Sequence, residues 1–255
     1  MRFWKMSGAG NDFVLVQGTV TSGSSLARRL CDRKKGVGAD GLLAVEPGKS
    51  PRLRYWNADG SEAFCGNGTR CAALWLHGQG LVKKRRFILH TAQGPLEIEI
   101  LGRERAAVHM PSPGALHVPR MVDRFEVFEI DTGVPHAVVF VKAVADFPVL
   151  EAGRALRRHE AFAPAGANVD FVEPKGRTLH VRTYERGVED ETLACGTGVV
   201  ASALAAALLR GARSPVKVVV RGGAYLRARF KRSGAGFSDV WLEGPGELVY
   251  QGDID

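Results

Sequence analysis

The sequence predicts an α+β protein, mixed in its layering, built as two related halves. Three observations predict it. Strand-length apolar segments recur along the 255 residues, separated by Gly, Pro, Asn and Asp turn signals. Only one long helix-forming run stands in each half. And a Cys-Gly-x-Gly motif precedes each of those runs: Cys65-Gly66-Asn67-Gly68 and Cys195-Gly196-Thr197-Gly198, 130 positions apart, about half the chain. Each copy follows a strand-like segment, Arg54-Tyr55-Trp56-Asn57 in one and Arg182-Thr183-Tyr184-Glu185 in the other. A second echo links Gly10-Asn11-Asp12-Phe13-Val14 with Ala167-Asn168-Val169-Asp170-Phe171-Val172. Many short strands with one dominant helix per half fit two layers or two barrels.

In chain order, Arg2–Met6 and Phe13–Gln17 are expected strands around a Ser7–Asp12 turn. Ser24–Arg33 is an expected helix, with Ser24 or Ser25 supplying the cap hydroxyl. Gly36–Gly41 is a glycine-rich turn before strands at Leu42–Glu46 and Leu53–Trp56. A helix starts after Gly66, and strands follow at Arg86–His90, Leu96–Leu101 and Ala106–Met110. Pro111-Ser112-Pro113-Gly114 has linker chemistry. Beyond it come strands at Phe125–Ile130 and Ala137–Val141, a helix at Ala152–His159, and strands at Asn168–Val172 and Leu179–Tyr184. The long alanine-rich helix after Cys195 leads to short strands at Val216–Val220, Tyr225–Phe230, Val240–Glu243 and Glu247–Tyr250.

The placement of the cysteines has a physical meaning. The first turn of a helix leaves backbone N–H groups unpartnered, and the aligned peptide dipoles add partial positive charge there. A cysteine at that point is expected to ionise readily, with a pKa lowered to roughly 3.5–7.5. Glycines beside it allow a sharp turn and close approach of a ligand. The plain alternative is a small buried residue in a glycine turn. Two such thiols brought to one carbon could remove a proton from one side and return one from the other, inverting a stereocentre by acid–base chemistry. The helix ends would hold a carboxylate and the charge developing on it. No electron-sink cofactor and no Schiff-base lysine can be singled out.

Composition narrows the remaining classes. The N-terminal MRFWKMSGAGNDF lacks a sustained apolar core for a signal peptide, and no apolar run reaches membrane-spanning length. A cytoplasmic protein with no membrane partner is expected. The four cysteines, Cys31, Cys65, Cys71 and Cys195, include no Cys-x-x-Cys and no nearby histidine at a ligand spacing, so no metal is expected. Cys31 and Cys71 fall in helical patterns as packing residues. The net charge of +8 raises nucleic acid as a partner. However, Arg33-Lys34-Lys35 and Lys83-Lys84-Arg85-Arg86 carry no interleaved aromatics and fit solvated surface, so none is expected.

Six stretches together resemble the diaminopimelate epimerase family. They are Lys5–Phe13 (KMSGAGNDF), Gly36–Leu43 (GVGADGLL), Asn57–Cys71 (NADGSEAFCGNGTRC), Gly133–Val138 (GVPHAV), Gly166–Phe171 (GANVDF) and Tyr184–Gly198 (YERGVEDETLACGTG). They span nearly the whole chain in the family's order. The resemblance implies a cofactor-independent, two-base epimerase, converting the LL form of 2,6-diaminopimelate to the meso form, and a homodimer. It implies two pseudo-symmetric domains, each a barrel-like sheet around a central helix, with the active site between them. The expected division is 1–114, joined by the returning segment 243–255, and 115–242. Cys65 and Cys195 match the catalytic cysteines. Gly66, Asn67, Gly196 and Thr197 match donors to the reacting carboxylate. Asn11, Asn57, Asn168, Glu185 and Arg186 match substrate-holding positions, and His136 with Glu185 matches residues that tune the thiols.

The residues by themselves leave other readings open. Asn11 and Asn168 also suit Asx-turns, Glu185 and Arg186 a surface ion pair, and His136 a structural role. Two departures from the family pattern stand out: Val134 replaces a usual asparagine, and the Asn57–Cys65 spacing is one residue short. A two-cysteine racemase of another amino acid, a basic nucleic-acid-binding protein and a redox thiol protein are the rival functions.

Overall fold

The chain opens with a hairpin, β1 (Arg2–Gly8) and β2 (Asn11–Gln17). Ala9 and Gly10 join them at φ values of 52° and 98°. Positive φ at both loop residues matches the right-handed twist of paired strands. The turn is thus shorter than Ser7–Asp12, and Asn11 opens a strand. The computed structural model describes residues 1–234 and 236–254. They divide into two units, Met1–His109 with Glu243–Asp255, and Met110–Leu242. The Pro111–Gly114 segment is irregular and falls within the second.

In the first unit, α1 (Gly23–Cys31) follows the hairpin, then β3 (Gly41–Glu46), β4 (Arg52–Asn57) and β5 (Glu62–Ala63). Next come α2 (Gly66–Gly78), β6 (Arg86–Thr91), β7 (Gly94–Ile100) and β8 (Arg105–His109). β2 pairs parallel with β3, β3 antiparallel with β4, and β4 parallel with β6, which continues antiparallel through β7 to β8. Helix α2 touches β1 to β4, β7 and β8. It is buried continuously from Asn67 to Leu76, as a helix wrapped by sheet must be. By contrast α1 buries one stripe, Gly23, Ala27, Leu30 and Cys31. Its N-cap position is Ser22, not Ser24 or Ser25, and the Ser22 side chain makes no cap bond. Gly23 is the reason: a Cβ there would lie 2.2 Å from the Trp56 ring, so the helix begins where the backbone meets the indole.

The second unit repeats the plan. After β9 (Arg120–Val122) come β10 (Phe125–Asp131), β11 (Pro135–Phe140), α3 (Val149–Arg157), β12 (Asn168–Lys175), β13 (Thr178–Glu185) and β14 (Asp190–Thr192). Then follow α4 (Gly196–Arg210), β15 (Val216–Val220), β16 (Tyr225–Ser233) and β17 (Gly236–Pro245). β10–β11 is antiparallel, β11–β12 parallel, β12–β13 antiparallel and β13–β15 parallel, the same series as in the first unit. α4 is buried from Gly198 to Ala207 and touches β10 to β13, β15 and β16. Gly211 ends it in the left-handed conformation at φ 69°, the usual glycine stop. The architecture is therefore the predicted mixed one, with a long sheet-wrapped helix in each unit.

This topology corrects one expectation. β4 and β13 occupy equivalent places, so the echo of Arg54–Asn57 in Arg182–Glu185 is sound. The Asn11/Asn168 echo is not: Asn11 opens β2, whereas Asn168 opens β12, whose counterpart is β3.

The last strand, β18 (Glu247–Asp253), returns to the first unit and pairs antiparallel with β1, Arg2 opposite Asp253. The register shifts between Lys5 and Met6, opposite Tyr250 and Leu248, leaving Val249 as the extra bulge residue.

Candidate active site

Each cysteine motif forms the N-terminus of the central helix of its unit. Cys65 caps α2 in extended conformation, and its Sγ accepts from the Gly68 N–H at 3.4 Å. Gly68 packs so closely that a Cβ would lie 2.8 Å from Leu43 Cδ2, while at Gly66 a Cβ would meet nothing within 4 Å. The first turn of α2 is thus fixed on one side and open on the other. β4 delivers Asn57, whose Oδ1 accepts from Tyr55 at 2.8 Å and whose Nδ2 donates to Ser61 Oγ at 2.9 Å. The short Asn57–Cys65 connection is taken up by this turn, closed by Asn57 N–H to the Ser61 carbonyl, and by β5 pairing back on Tyr55 and Trp56.

Asn11 and Asn67 meet directly, Asn67 Nδ2 donating to Asn11 Oδ1 at 2.8 Å. Asn11 Nδ2 in turn donates to Asp40 Oδ2 at 3.0 Å, so Asn11 serves no Asx-turn. Behind them Lys5, Asp12, Arg33 and Asp40 form one ionic cluster. Arg33 stays on the solvated surface, its side chain 59% exposed, and from there its guanidinium holds both aspartates. Burial raises the Asp12 carboxyl, but hydrogen bonds and charge from Arg33 and Lys5 outweigh it and hold the group well below the usual carboxylate range. A folded pKa below the unfolded one, about 4, stabilises the fold above that value and is lost as pH falls. Asp12→Asn is thus expected to lower the thermal midpoint at neutral pH, with the gap to wild type narrowing below about pH 3. Melting curves at both pH values check this, and a gap that stays constant would contradict it.

In the second unit Cys195 caps α4 and lies buried at 7% exposure, its Sγ 3.4 Å from Thr197 Oγ1. His136, on β11, reaches the same hydroxyl from Nε2 at 2.9 Å, and its Nδ1 stands 2.6 Å from Asp170 Oδ2. Thr183 donates to the other Asp170 oxygen at 2.6 Å. A line of contacts therefore runs from Cys195 through Thr197 and His136 to Asp170, all but the threonine buried. Asp170 accepts from Nδ1 and so fixes the ring with Nε2 facing the Thr197 hydroxyl. Gly198 lets the helix settle on this pair, since a Cβ there would lie 2.2 Å from Asp170 Oδ1 and 3.3 Å from His136 Cε1.

The expected readily ionised cysteine is not what Cys195 is. Burial pushes its thiol up, and the Glu185 and Asp170 carboxylates push it further, against the Thr197 hydroxyl and the Gly198 N–H. A helix end is weaker than full desolvation beside two acids. Burial likewise raises the Glu185 carboxyl.

Asn168 Oδ1 accepts from the Arg186 N–H at 2.8 Å, tying β12 to the end of β13 across 18 positions, so it too is no Asx-turn. The Arg186 guanidinium approaches the carbonyls of Ala165 and Gly166 and pairs with no carboxylate among the described residues. A surface ion pair with Glu185 is thus not formed. A pocket of 350 Å³ within this unit is lined by His136, Pro135, Asp131 and the Ala161–Ala167 loop. A larger one of 480 Å³, at the C-terminal end of α4, contains none of the candidate site residues. Among the described residues no helix is long and apolar enough to cross a membrane, and no three His, Cys, Asp or Glu side chains gather as a metal site.

Asp170 is the functional candidate that sequence reasoning missed. The signal was present: it stands two residues after Asn168, hence on the same face of a strand. Asp12, Asp40 and Arg33 were missed as well, and these come from three separate segments.

Solved structures share this fold over essentially the whole chain. A Bacillus anthracis phenazine biosynthesis protein of the PhzF family superposes with TM-score 0.74 at 15% identity, covering 99% of this chain and 98% of that one. A probable proline racemase from Agrobacterium radiobacter superposes with TM-score 0.70 at 16% identity, covering 100% and 92%. The fold class is the one PhzF proteins and proline racemases share. Within it, the family model described as diaminopimelate epimerase matches residues 3–114 and 128–235. The diaminopimelate epimerase of Chlorobaculum tepidum is 37% identical over 98% of this chain and 99% of its own length, and that of Aquifex aeolicus 39% over 100% and 98%. The chain belongs to the diaminopimelate epimerase family, a family of isomerases, as its motifs implied.

Proposed function

We propose that this protein is a cofactor-independent epimerase converting LL-2,6-diaminopimelate to the meso form in lysine biosynthesis. The observation that carries the reading is the matched pair of thiols, each capping the buried central helix of one unit at a glycine turn. One cysteine as thiolate takes the α-proton, leaving the electron pair of the broken C–H bond on the substrate. The other, as thiol, gives its S–H proton to the opposite face, and the two exchange roles in reverse. Cys195, whose thiol is held protonated by burial, is the donor in that state. The first-turn groups of Gly66, Asn67, Gly196 and Thr197 hold the reacting carboxylate as charge builds on it. Asn11, Asn57, Asn168, Glu185 and Arg186 hold the rest of the substrate, Arg186 offering a guanidinium that no carboxylate among the described residues occupies. His136 tunes Cys195 through Thr197, and Glu185 through its charge.

The test is proton NMR in D2O under reducing conditions, with LL-diaminopimelate and, separately, proline, histidine and glutamate. Loss of the diaminopimelate α-proton signal with growth of the meso form is the expected result. Exchange of another amino acid instead would assign the thiol chemistry to a different substrate, and Val134 would be the place to look for the cause. Silence from all four would overturn the reading.

A thiol–thiolate pair requires a reducing compartment, and the cytoplasm is the proposed location. A homodimer is proposed through β18, which exposes Leu248, Val249 and Tyr250 in succession at 50%, 58% and 46%. Val249→Lys is expected to shift the sedimenting species from dimer to monomer, while a wild-type protein that sediments as a monomer would refute the proposal.

A further inference from the structure

Arg70 stands in the second turn of α2 with its side chain completely buried at 0% exposure. Among the described residues no carboxylate pairs with it. Its Nη2 donates to Asn67 Oδ1, its Nε approaches the Pro245 carbonyl at 3.5 Å, and its Nη1 is buried without a partner. The slot is shaped for it: a Cβ on Gly244 would lie 2.7 to 2.9 Å from three guanidinium atoms. A buried cation without a counter-ion is costly, and its cost is met here only by the hydrogen bonds it makes.

The hydrogen bonds have one direction. Arg70 donates to Asn67, Asn67 to Asn11 at 2.8 Å, and Asn11 to Asp40 at 3.0 Å. The line runs from a cation to an anion through two amides, so each bond polarises the next. A guanidinium has donors only, so the Asn67 oxygen must face it and the Asn67 nitrogen must face Asn11. Asp40 sets Asn11 in the same way. Each amide keeps one N–H to offer elsewhere.

We propose that Arg70 is a positioning residue, which locks the Asn67 and Asn11 amides so that their remaining N–H groups, and not their carbonyl oxygens, face the substrate carboxylate. The proposal rests on the epimerase reading and names how that site selects an anionic group. Burial pulls the guanidinium down to about 10, which leaves it charged at neutral pH.

The experiment combines two readouts on Arg70→Met, Arg70→Lys and Asn67→Ala. Side-chain amide signals of 15N-asparagine-labelled protein report the line of hydrogen bonds without substrate. Steady-state kinetics with LL-diaminopimelate report its use. Arg70→Met is expected to move both amide signals and raise KM about tenfold or more with a smaller change in kcat, since a buried amide loses its partner. Arg70→Lys, which keeps charge and a donor, should recover part of the loss. In the Asn67→Ala background Arg70→Met should add nothing further, the mark of one coupled unit. Amide signals that move while KM stays within twofold would overturn the proposal and leave the epimerase reading intact. Independent, multiplying effects of Arg70→Met and Asn67→Ala would also overturn it. Wild-type protein that leaves diaminopimelate unchanged would instead remove the reading beneath it.

Discussion

Replacing Cys195 by serine is expected to slow diaminopimelate epimerisation by about a thousandfold while the fold survives, because general acid–base catalysis is commonly worth 10²–10⁴. A serine hydroxyl fits the same N-cap, being smaller, and keeps the contact with Thr197 now made at 3.4 Å. It ionises far less readily than a thiol and so cannot alternate between acid and base. Cys65→Ser is expected to do the same, since the α2 cap it occupies tolerates a hydroxyl well. Circular dichroism would show both variants folded, and NMR rates would show both slow. Full turnover by either variant would remove that cysteine from the mechanism.

Asp170→Ala is the second large effect. The carboxylate is fully buried and accepts from both His136 and Thr183 at 2.6 Å. Its loss strands two buried donors, and hydrogen bonds to charged groups are worth about 1.5–3 kcal/mol each, so destabilisation of about 3 kcal/mol is expected. Chemical denaturation measures it. Turnover should also fall at temperatures where the variant is fully folded, because Asp170 then no longer fixes the His136 ring with Nε2 facing the Thr197 hydroxyl. A variant as stable as wild type would show that the Asp170–His136 contact has no net value. Unchanged turnover in the folded variant would show that Cys195 does not depend on it.

What the sequence makes legible follows from how local each signal is. Cys65 and Cys195 are visible because a cap, two glycines and a helical run sit within a few positions. α4 is visible because ten successive buried residues leave no polar stripe. The start of α1 is not, since Ser22, Ser24 and Ser25 all have cap chemistry and the choice falls to Gly23 meeting the Trp56 ring. Asp170 looks like an ordinary strand carboxylate until Gly198 brings α4 against it. Arg33 is legible as part of an exposed basic run, but its hold on two aspartates, 21 and 7 positions away, is not. The failed Asn11/Asn168 echo shows the same limit: short strings repeat by chance, and only strand pairing tells which strand is which.

The pairing of β18 with β1 has a consequence for synthesis. The main-chain groups of Met1 and Ile254 bond across 253 positions, and the second unit, Met110–Leu242, is an uninterrupted stretch between them. On the ribosome, the stretch made in the middle is complete before the stretch made first has its partner strand β18. β1 waits with one edge unpaired until Glu247–Asp253 emerges, and contacts this distant in sequence form slowly. Until β18 is made the nascent chain carries an open edge at β1, and that edge is where chaperone capture or aggregation would begin.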